Sequence, residues 1–174
     1  DSALRLGTAL KRTARGLLLG KAARAREKGV ELAFDPSCRM DHPLSTLAEA
    51  ELISIIGNLL DNAIEATQRA KTPHVPVDVL ILRNDRELII EVADQGVGIR
   101  PEIRERIFER GITTKTRGDH GIGLYLIATY VSQAGGTVEV SENTPNGTIF
   151  SLFIPAQGEL KRSPLTLQET HYAP

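Results

Sequence analysis

One amphipathic stretch, from about Leu47 to Ala70, limits the possible folds of this chain more than any other segment. At about 100° per residue, its apolar side chains cover most of a helix circumference, so the helix must pack on a broad apolar surface. We expect that surface to be a sheet. The remaining arc is polar and contains Glu51, Ser54, Asn58, Asp61, Asn62, Glu65 and Arg69.

Several short segments around this helix have the alternation or the apolar content of β-strands. They are residues 30–34, 77–84, 87–94, 137–142 and 148–154. The turns NDR and NTPNG predict two antiparallel hairpins. A further helix is predicted from about Ile122 to Ala134, and a short one near Pro101. Together these elements predict an α/β fold, a two-layer sandwich in which a mixed, mostly antiparallel sheet of about five strands carries three main helices on one face.

The two ends of the chain differ from this central part. Residues 1–28 are rich in basic residues and predict a helix in two pieces, weakened at Gly16 and Gly20 and stopped at Gly29. The formal net charge of the chain is only −1, so we interpret the basic run as a solvated helix face and expect no nucleic-acid partner. The residues after Pro155 are polar and aperiodic, which predicts a loose tail.

Length and composition exclude several classes of protein. With 174 residues, of which 41% are hydrophobic, the chain suffices for one globular domain with a buried core. A single cysteine, Cys38, excludes an intramolecular disulfide, and we assign it no catalytic role. No segment reaches the ~18 apolar residues of a membrane helix. Because the chain begins at Asp1 and not at Met, we expect a fragment of a longer protein whose other parts could include a membrane anchor.

Two asparagines four residues apart, Asn58 and Asn62, are the unusual members of the polar arc. Asparagine is a poor helix former, at a cost of up to ~0.7 kcal/mol relative to alanine. The plainer interpretation, that the arc is the solvated side of the helix, explains Glu51 and Arg69 well. Two carboxamides beside acids, however, combine oxygen ligands with N–H donors, which suits Mg²⁺ and phosphate oxygens.

The motif DQGVGI places Asp94 at the end of an apolar strand, followed by Gly96 and Gly98. A carboxylate there can accept a hydrogen bond from an exocyclic amine, and the glycines let a ligand ring approach the backbone. Adenine is one ring that fits, and an ordinary Asp/Gly turn is the alternative. The glycines do not form a dinucleotide-binding fingerprint, because they do not open a crossover helix.

The motif TTKTRGDHGIGLYLI brings Gly121 and Gly123 to the start of a helix, where free N–H groups and the positive helix end can hold phosphates. Lys115 and Arg117 could supply counter-charge, and the plainer alternative is a flexible basic loop. His120 fits a hydrogen-bonding loop residue better than a catalyst. No Cys/His cluster indicates zinc, and no Ser/His/Asp set indicates a hydrolase.

In chain order, NLLDNAIEA, DQGVGI, IFERGITTK, GDHGIGLYLI and NGTIFSLFIP resemble the nucleotide-binding boxes of sensor histidine kinases. The resemblance covers about residues 28–155 and implies the Bergerat-type ATP-binding fold that gyrase, the heat-shock chaperone ATPase and MutL share. Within the kinases, the chain is most similar to the group that senses citrate and four-carbon dicarboxylates. The resemblance divides the chain into the end of a dimerisation helix with its linker (1–28), the ATP-binding catalytic domain (29–155) and a flexible C-terminal tail (156–174).

The same resemblance implies that ATP and Mg²⁺ bind to this domain. Asn62 would coordinate the metal, Asn58 would contact the phosphates or the metal shell, and Asp94 would read the adenine amino group. Lys115 would act with Asn58 in catalysis by reaching the phosphates from a lid, which Phe108 would anchor. The other implied nucleotide-binding residues are Gly96, Gly98, Ile99, Thr114, Gly121, Ile122, Gly123, Leu124 and Thr148. Glu65 would lie near the pocket.

The implied reaction is transfer of the ATP γ-phosphate to a histidine on a dimerisation domain, with onward relay to a response-regulator aspartate. The full-length kinase would be a homodimer, and this part would lie on the cytoplasmic side of an inner-membrane bacterial sensor. None of the histidines of the chain lies on a predicted helix face beside an acid. They are His42, His74, His120 and His171. We therefore expect no autophosphorylation of the fragment alone.

One departure bears on the mechanism. Where gyrase-like ATPases place a general-base glutamate, this helix has Asn58, which cannot accept a proton from water at neutral pH. We therefore predict slow hydrolysis and favour transfer to histidine. A gyrase- or MutL-like ATPase, a serine kinase acting on an anti-sigma partner and a non-catalytic ATP-sensing module of the same fold stay open as alternatives. The sequence identifies neither the sensed ligand nor the cognate response regulator, nor the oligomeric state of the fragment.

Overall fold

The computed structural model describes residues 12–71, 75–112 and 121–158. Within these ranges the predicted elements form, with shifts of a few residues at their ends. They are α1 (Arg12–Glu27), β1 (Leu32–Phe34), α2 (Glu49–Arg69), β2 (Val77–Arg83), β3 (Glu87–Asp94), a 3₁₀ helix (Pro101–Arg106), α3 (Gly123–Gln133), β4 (Thr137–Glu142) and β5 (Thr148–Pro155).

The strands form one five-stranded sheet in the order β1-β2-β3-β5-β4. β1 runs parallel to β2, and the other neighbouring pairs are antiparallel, so the prediction of a mixed, mostly antiparallel sheet is confirmed. The register of the two strands near the middle of the sheet pairs Asp94 with Thr148. The end of β3 therefore lies beside the start of β5.

One face of this sheet and helices α2 and α3 enclose the core. Val92 on β3 and Phe150 and Leu152 on β5 are buried, whereas the residues between them on each strand are half-buried. This alternation follows from the two-residue period of a strand and leaves one face for the helices. The apolar side of α2 contributes Ile55, Ile56, Leu59, Leu60, Ala63 and Ile64. Each large aliphatic side chain buried here stabilises the fold by about 1.5–3 kcal/mol.

Helix α1 is continuous from Arg12 to Glu27, so the predicted interruption at Gly16 and Gly20 is wrong for this segment. The helix packs on α2 through a buried face made of small and aliphatic side chains. They are Ala14, Leu18, Ala22 and Ala25. Packing of this face outweighs the propensity lost at two glycines, roughly 1 kcal/mol each. As predicted, the helix stops at Gly29, which has a φ of 73°.

An ion pair joins the same two helices at the edge of the polar arc. Lys21 Nζ on α1 lies 2.7 Å from Asp61 Oδ1 on α2. The Lys21 side chain is only 16% exposed, so its methylene groups pack along the helix while its charge reaches the carboxylate. In sequence, Asp61 lies between the two asparagines of the arc, and the ion pair therefore fixes α1 beside that region of α2.

Cys38 is buried at the β1–β2 edge of the sheet. Its Sγ accepts a hydrogen bond from Ile81 N at 3.4 Å and donates to Val79 O at 3.5 Å. Burial raises the pKa of this thiol. Cys38 thus packs as a small core residue in its neutral form.

Candidate functional site

Asn58 lies in the middle of the polar arc of α2 and faces the start of α3. Its Nδ2 donates to Ser54 O at 2.8 Å and approaches Ser54 Oγ at 3.3 Å. Because the amide N–H group is used in this way, Oδ1 is left to accept. A Cβ added at Gly123 would lie 2.8 Å from that Oδ1. The fold therefore places the carboxamide oxygen of one predicted motif against the glycine-bearing helix start of another.

Asn62 lies one helical turn beyond Asn58 on the same arc. Its Nδ2 is buried, and among the residues that the structure describes it has no hydrogen-bond partner. A buried polar atom of this kind costs about 1–3 kcal/mol. Such an atom usually indicates a place for a ligand, an ion or a water molecule. A half-turn of the amide would present Oδ1 at the same point, so the side chain suits either a phosphate oxygen or a metal ion.

Asp94, the last residue of β3, is a buried carboxylate with 3% of its surface exposed. Its Oδ1 accepts a hydrogen bond from Gly96 N at 2.9 Å, and the Thr148 backbone N–H also donates to the carboxylate. Burial raises the pKa of Asp94, although these two hydrogen bonds and the charge of Arg69 act in the opposite direction. A carboxylate held in this way can accept a further hydrogen bond from a ligand N–H group, and such perturbed groups cluster at functional sites.

Gly96 brings the loop after β3 into contact with α2. A Cβ at this position would lie 2.4 Å from the carbonyl carbon of Ala66, and Val97 N donates to Ala66 O at 3.3 Å. Only glycine allows so close an approach of two backbones. From Asn58 to Ala66 the axis of α2 advances by about 12 Å. The arc thus runs from a helix start at one end to a buried carboxylate at the other, an arrangement suited to an elongated ligand with phosphates and a base.

Phe108, which follows the 3₁₀ helix in the segment between β3 and α3, packs against β5. Its ring packs edge-on against Phe150, with the ring centroids 6.4 Å apart and the planes at 82°. Ile99, on the same segment, lines a small cavity of about 30 Å³ together with Thr148. These contacts fix the base of the segment that the sequence interpretation assigned to a lid.

The structure places the remaining predicted residues as follows. Gly121 is buried against Ile112, and a Cβ there would lie 2.4 Å from Ile112 O. Ile122 is 37% exposed at the start of α3, whereas Leu124 packs partly against the core. Gly98 has a φ of 73°. The predicted residues that lie outside the described ranges are Thr114, Lys115, Arg117 and His120.

The sequence interpretation missed the residues of the β4–β5 turn that touch the loop after β3. Asn143 Nδ2 donates to Asp94 O at 2.9 Å, and Asn146 Nδ2 donates to Gln95 O at 2.7 Å. The only signal for them was the asparagine-rich string NTPNG, which predicts a turn without indicating its neighbour. The contact depends on strand order and could not be obtained from either segment alone.

On one helix-covered sheet the fold thus brings together a carboxamide pair, a buried strand-end carboxylate and two glycine-bearing loops, as expected of an ATP-binding domain. Residues 48–158 match the family of histidine kinase-, DNA gyrase B- and HSP90-like ATPases, and the chain belongs to this family. It is 52% identical over 140 residues to the sensor histidine kinase CitA of Klebsiella pneumoniae, across 80% of this chain and 26% of that protein.

A second sensor kinase matches the chain over a similar share of both sequences. The sensor histidine kinase DpiB of Escherichia coli (strain K12) is 43% identical over 142 residues, again across 80% of this chain and 26% of the relative. The chain thus spans about a quarter of the length of these relatives. Among solved structures, full-length ShkA in complex with AMPPNP aligns with a TM-score of 0.64 at 28% identity, across 91% of this chain and 31% of ShkA.

Two further observations concern metals and membranes. Residues 12–71, 75–112 and 121–158 contain no group of three or more His, Cys, Asp and Glu side chains that could hold a metal ion. No helix in this part of the chain is long and apolar enough to cross a membrane.

Proposed function

We propose that this chain is the catalytic part of a two-component sensor kinase that transfers the γ-phosphate of ATP to a histidine on a dimerisation domain. The phosphate then passes to an aspartate of a response regulator. In this proposal the parent protein is a homodimer anchored in the inner membrane, with the present domain on the cytoplasmic side. Similarity to CitA and DpiB over a quarter of their length supports the assignment.

The observation that carries the proposal is the position of Asn62. It combines a buried amide without a partner in the described part of the chain with a neighbour, Asn58, whose Oδ1 is directed at the start of α3. A helix start attracts phosphates, and an amide oxygen can ligate Mg²⁺. We assign Asn62 to the metal, and the bound Mg²⁺ would neutralise charge on the phosphates.

In this proposal, different residues bind the base and the phosphates. Asp94 accepts the hydrogen bond of the adenine amino group, while Gly96 keeps the backbone close enough to α2 for the base to lie between them. The N–H groups around Gly121 and Gly123 bind phosphate oxygens, which are the groups whose negative charge must be offset during transfer. To Lys115 and Thr114, which lie outside the described residues, we assign contacts with the phosphates, where Lys115 would add a positive charge.

Asn58 favours transfer to a histidine over hydrolysis. A carboxamide does not accept a proton at neutral pH, so it cannot activate water as a general base would. Its N–H group is also already bonded to Ser54, which holds the oxygen toward the phosphates. Transfer to an imidazole needs mainly position and charge neutralisation, because an unprotonated ring nitrogen attacks through its lone pair and, unlike water, has no proton to lose at that atom.

The test is an ATP titration of the chain with and without Mg²⁺. We expect Mg²⁺ to strengthen ATP binding in the wild type and to have little effect in Asn62→Ala. The matched control is Asn84→Ala, in the turn between β2 and β3, where the asparagine accepts hydrogen bonds from Arg86 N and Glu87 N. It should keep the full Mg²⁺ effect. Equal Mg²⁺ dependence in Asn62→Ala and in the wild type would contradict the metal assignment.

A further inference from the structure

We infer that the β4–β5 turn, residues 143–147, determines the base specificity of the site by positioning Asp94. This inference rests on the proposed function, in which Asp94 reads the adenine amino group. The turn itself would not touch the base. It would act by holding the backbone of residues 94–96, from which the carboxylate projects.

Two asparagine side chains of the turn bond three consecutive carbonyl groups of that backbone. Asn143 Nδ2 donates to Asp94 O at 2.9 Å. Asn146 Nδ2 donates to Gln95 O at 2.7 Å and to Gly96 O at 3.0 Å. The side chains of the turn therefore bind the backbone carbonyl groups of all three residues from Asp94 to Gly96.

Gly147 adds a steric contact to these hydrogen bonds. Its φ is 107°, and a Cβ there would lie 2.0 Å from Asp94 O. Only a glycine can occupy this position without moving one of the two backbones. The next residue, Thr148, pairs with Asp94 in the sheet and donates its N–H to the carboxylate. The turn and the start of β5 thus contact both the carbonyl and the carboxylate of Asp94.

The asparagine of the β2–β3 turn shows that a hairpin on this sheet does not require such long-range bonds. Asn84 Oδ1 accepts from Arg86 N and Glu87 N, both within three residues. Asn143 and Asn146 instead direct their Nδ2 groups to residues 49 to 51 positions away in the sequence. Their N–H donors serve the loop after β3 and not the local turn.

A carboxylate discriminates between bases only if its oxygen stays within hydrogen-bond distance of the exocyclic group. In Asp94, Oδ1 already accepts a hydrogen bond from Gly96 N. A shift of the 94–96 backbone would therefore move the carboxylate, its Gly96 N–H donor and the contact of Gly96 with α2 together. Such a shift would weaken the hydrogen bond between Asp94 and the base, whereas phosphate binding at Asn58 and Gly123 would not change. The inferred role therefore predicts a loss of base preference.

The experiment compares the affinities for ATP and inosine triphosphate, which has an oxygen in place of the adenine amino group. The variants are Asn146→Ala, Asn146→Asp and Asn143→Ala, and Asn84→Ala is the control. Asn146→Asp keeps the size of the side chain and removes its donors. We expect the wild type to prefer ATP and the ratio of affinities to fall about fivefold to tenfold in the Asn146 variants, as for the loss of two neutral hydrogen bonds.

A general loss of stability would lower the affinity for both triphosphates equally, so the ratio separates positioning from folding. A ratio that stays at the wild-type value in Asn146→Asp and Asn143→Ala would overturn the inference. As a second measurement, amide hydrogen exchange at Gly96 should accelerate in Asn146→Asp and not in Asn84→Ala. A wild type that binds both triphosphates equally would refute the proposed reading of adenine by Asp94 itself, which is a separate failure.

Discussion

Asp94 illustrates how one residue connects stability with recognition. Its carboxyl group lies where burial disfavours the charged form, and burial is the largest effect on its pKa, which it raises. The hydrogen bonds from Gly96 and Thr148 offset part of that cost. An apolar residue there would avoid burying a carboxyl group but would leave the N–H groups of Gly96 and Thr148, and a ligand amino group, without this acceptor. We interpret the buried carboxylate as a functional residue kept at the expense of stability.

The raised pKa of Asp94 predicts how the stability of Asp94→Asn depends on pH. The unfolded carboxyl has its ordinary pKa, so between that value and the raised one the folded protein binds more protons. Wild-type stability contributed by this group is therefore present at low pH and is lost as pH rises through the folded pKa. Asparagine does not titrate. We expect Asp94→Asn to gain stability relative to the wild type as pH rises from about 4 through the folded pKa of Asp94, measured by urea unfolding without nucleotide.

The exposed carboxylate of Asp35 is the matched control for this measurement. The hydroxyl and the backbone N–H of Ser37 bond it and lower its pKa, so its contribution to stability is present at neutral pH and is lost as pH falls through that pKa. Asp35→Asn should thus run parallel to the wild type above about pH 4 and gain stability relative to it only as pH falls below that value. Parallel curves for Asp94→Asn and the wild type would contradict the effect of burial.

At the scale of elements, helix α1 shows a fold that overrides local propensity. Two glycines within one helix indicated a break, yet the helix continues through both because its small residues pack closely on α2. Gly16 and Gly20 are exposed, and an added Cβ would have nothing within 4 Å at either position. Neither glycine is therefore required by its surroundings in the described part of the chain.

Alanine at these positions should stabilise the protein. We expect Gly16→Ala and Gly20→Ala each to raise the free energy of unfolding by roughly 0.5–1 kcal/mol, because alanine loses less backbone entropy in a helix. Denaturant titration at neutral pH measures this. Gly136→Ala is the contrasting control, since its Cβ would lie 2.4 Å from Phe153 O and should destabilise the fold. No gain at either helix position would contradict a continuous α1.

Most elements could be predicted from the sequence, because each depends on a local pattern. The arc of α2, the two hairpins and the stop at Gly29 are each set by residues within one segment. The pairing of Asp94 with Thr148 and the bonds from Asn143 and Asn146 join segments about 50 residues apart. Such contacts follow from strand order, and the pattern within a segment does not contain that information. The resemblance supplied Thr148, but nothing supplied the asparagines.

At the scale of the whole molecule, the packing of α2 on the sheet also determines where its polar arc lies. The apolar side of α2 packs on the sheet, and its other side contacts the start of α3 at Asn58 and the loop after β3 at Ala66. The asparagines on that arc are therefore partly enclosed by neighbouring elements, with Asn58 against Gly123 and Asn62 Nδ2 buried. In the proposed function this arc binds phosphate and metal, which would explain two asparagines at a propensity cost of up to ~0.7 kcal/mol each.

This arrangement gives the domain a nucleotide site but no acceptor on its own described surface that fits the proposed reaction. His42 lies in a loop, 72% exposed, with Nε2 3.8 Å from Asp41 Oδ2. The other histidines, His74, His120 and His171, lie outside the described residues. We therefore expect no label on this chain when it is incubated with γ-labelled ATP and Mg²⁺. The label should appear on a separately purified dimerisation domain of the parent protein that carries the acceptor histidine.

The same assay separates a kinase from an ATP-sensing module of this fold. Both would bind ATP, but only the kinase would label the added domain. Transfer should be lost in Asn62→Ala and in Asp94→Asn and kept in Asn84→Ala, because only the first two alter groups to which we assign nucleotide binding. Binding of ATP without transfer by the wild type would favour the sensing module. Label on the chain itself, or transfer that survives both site variants, would contradict the roles proposed for these residues, since phosphoryl transfer requires the γ-phosphate to be held in one place.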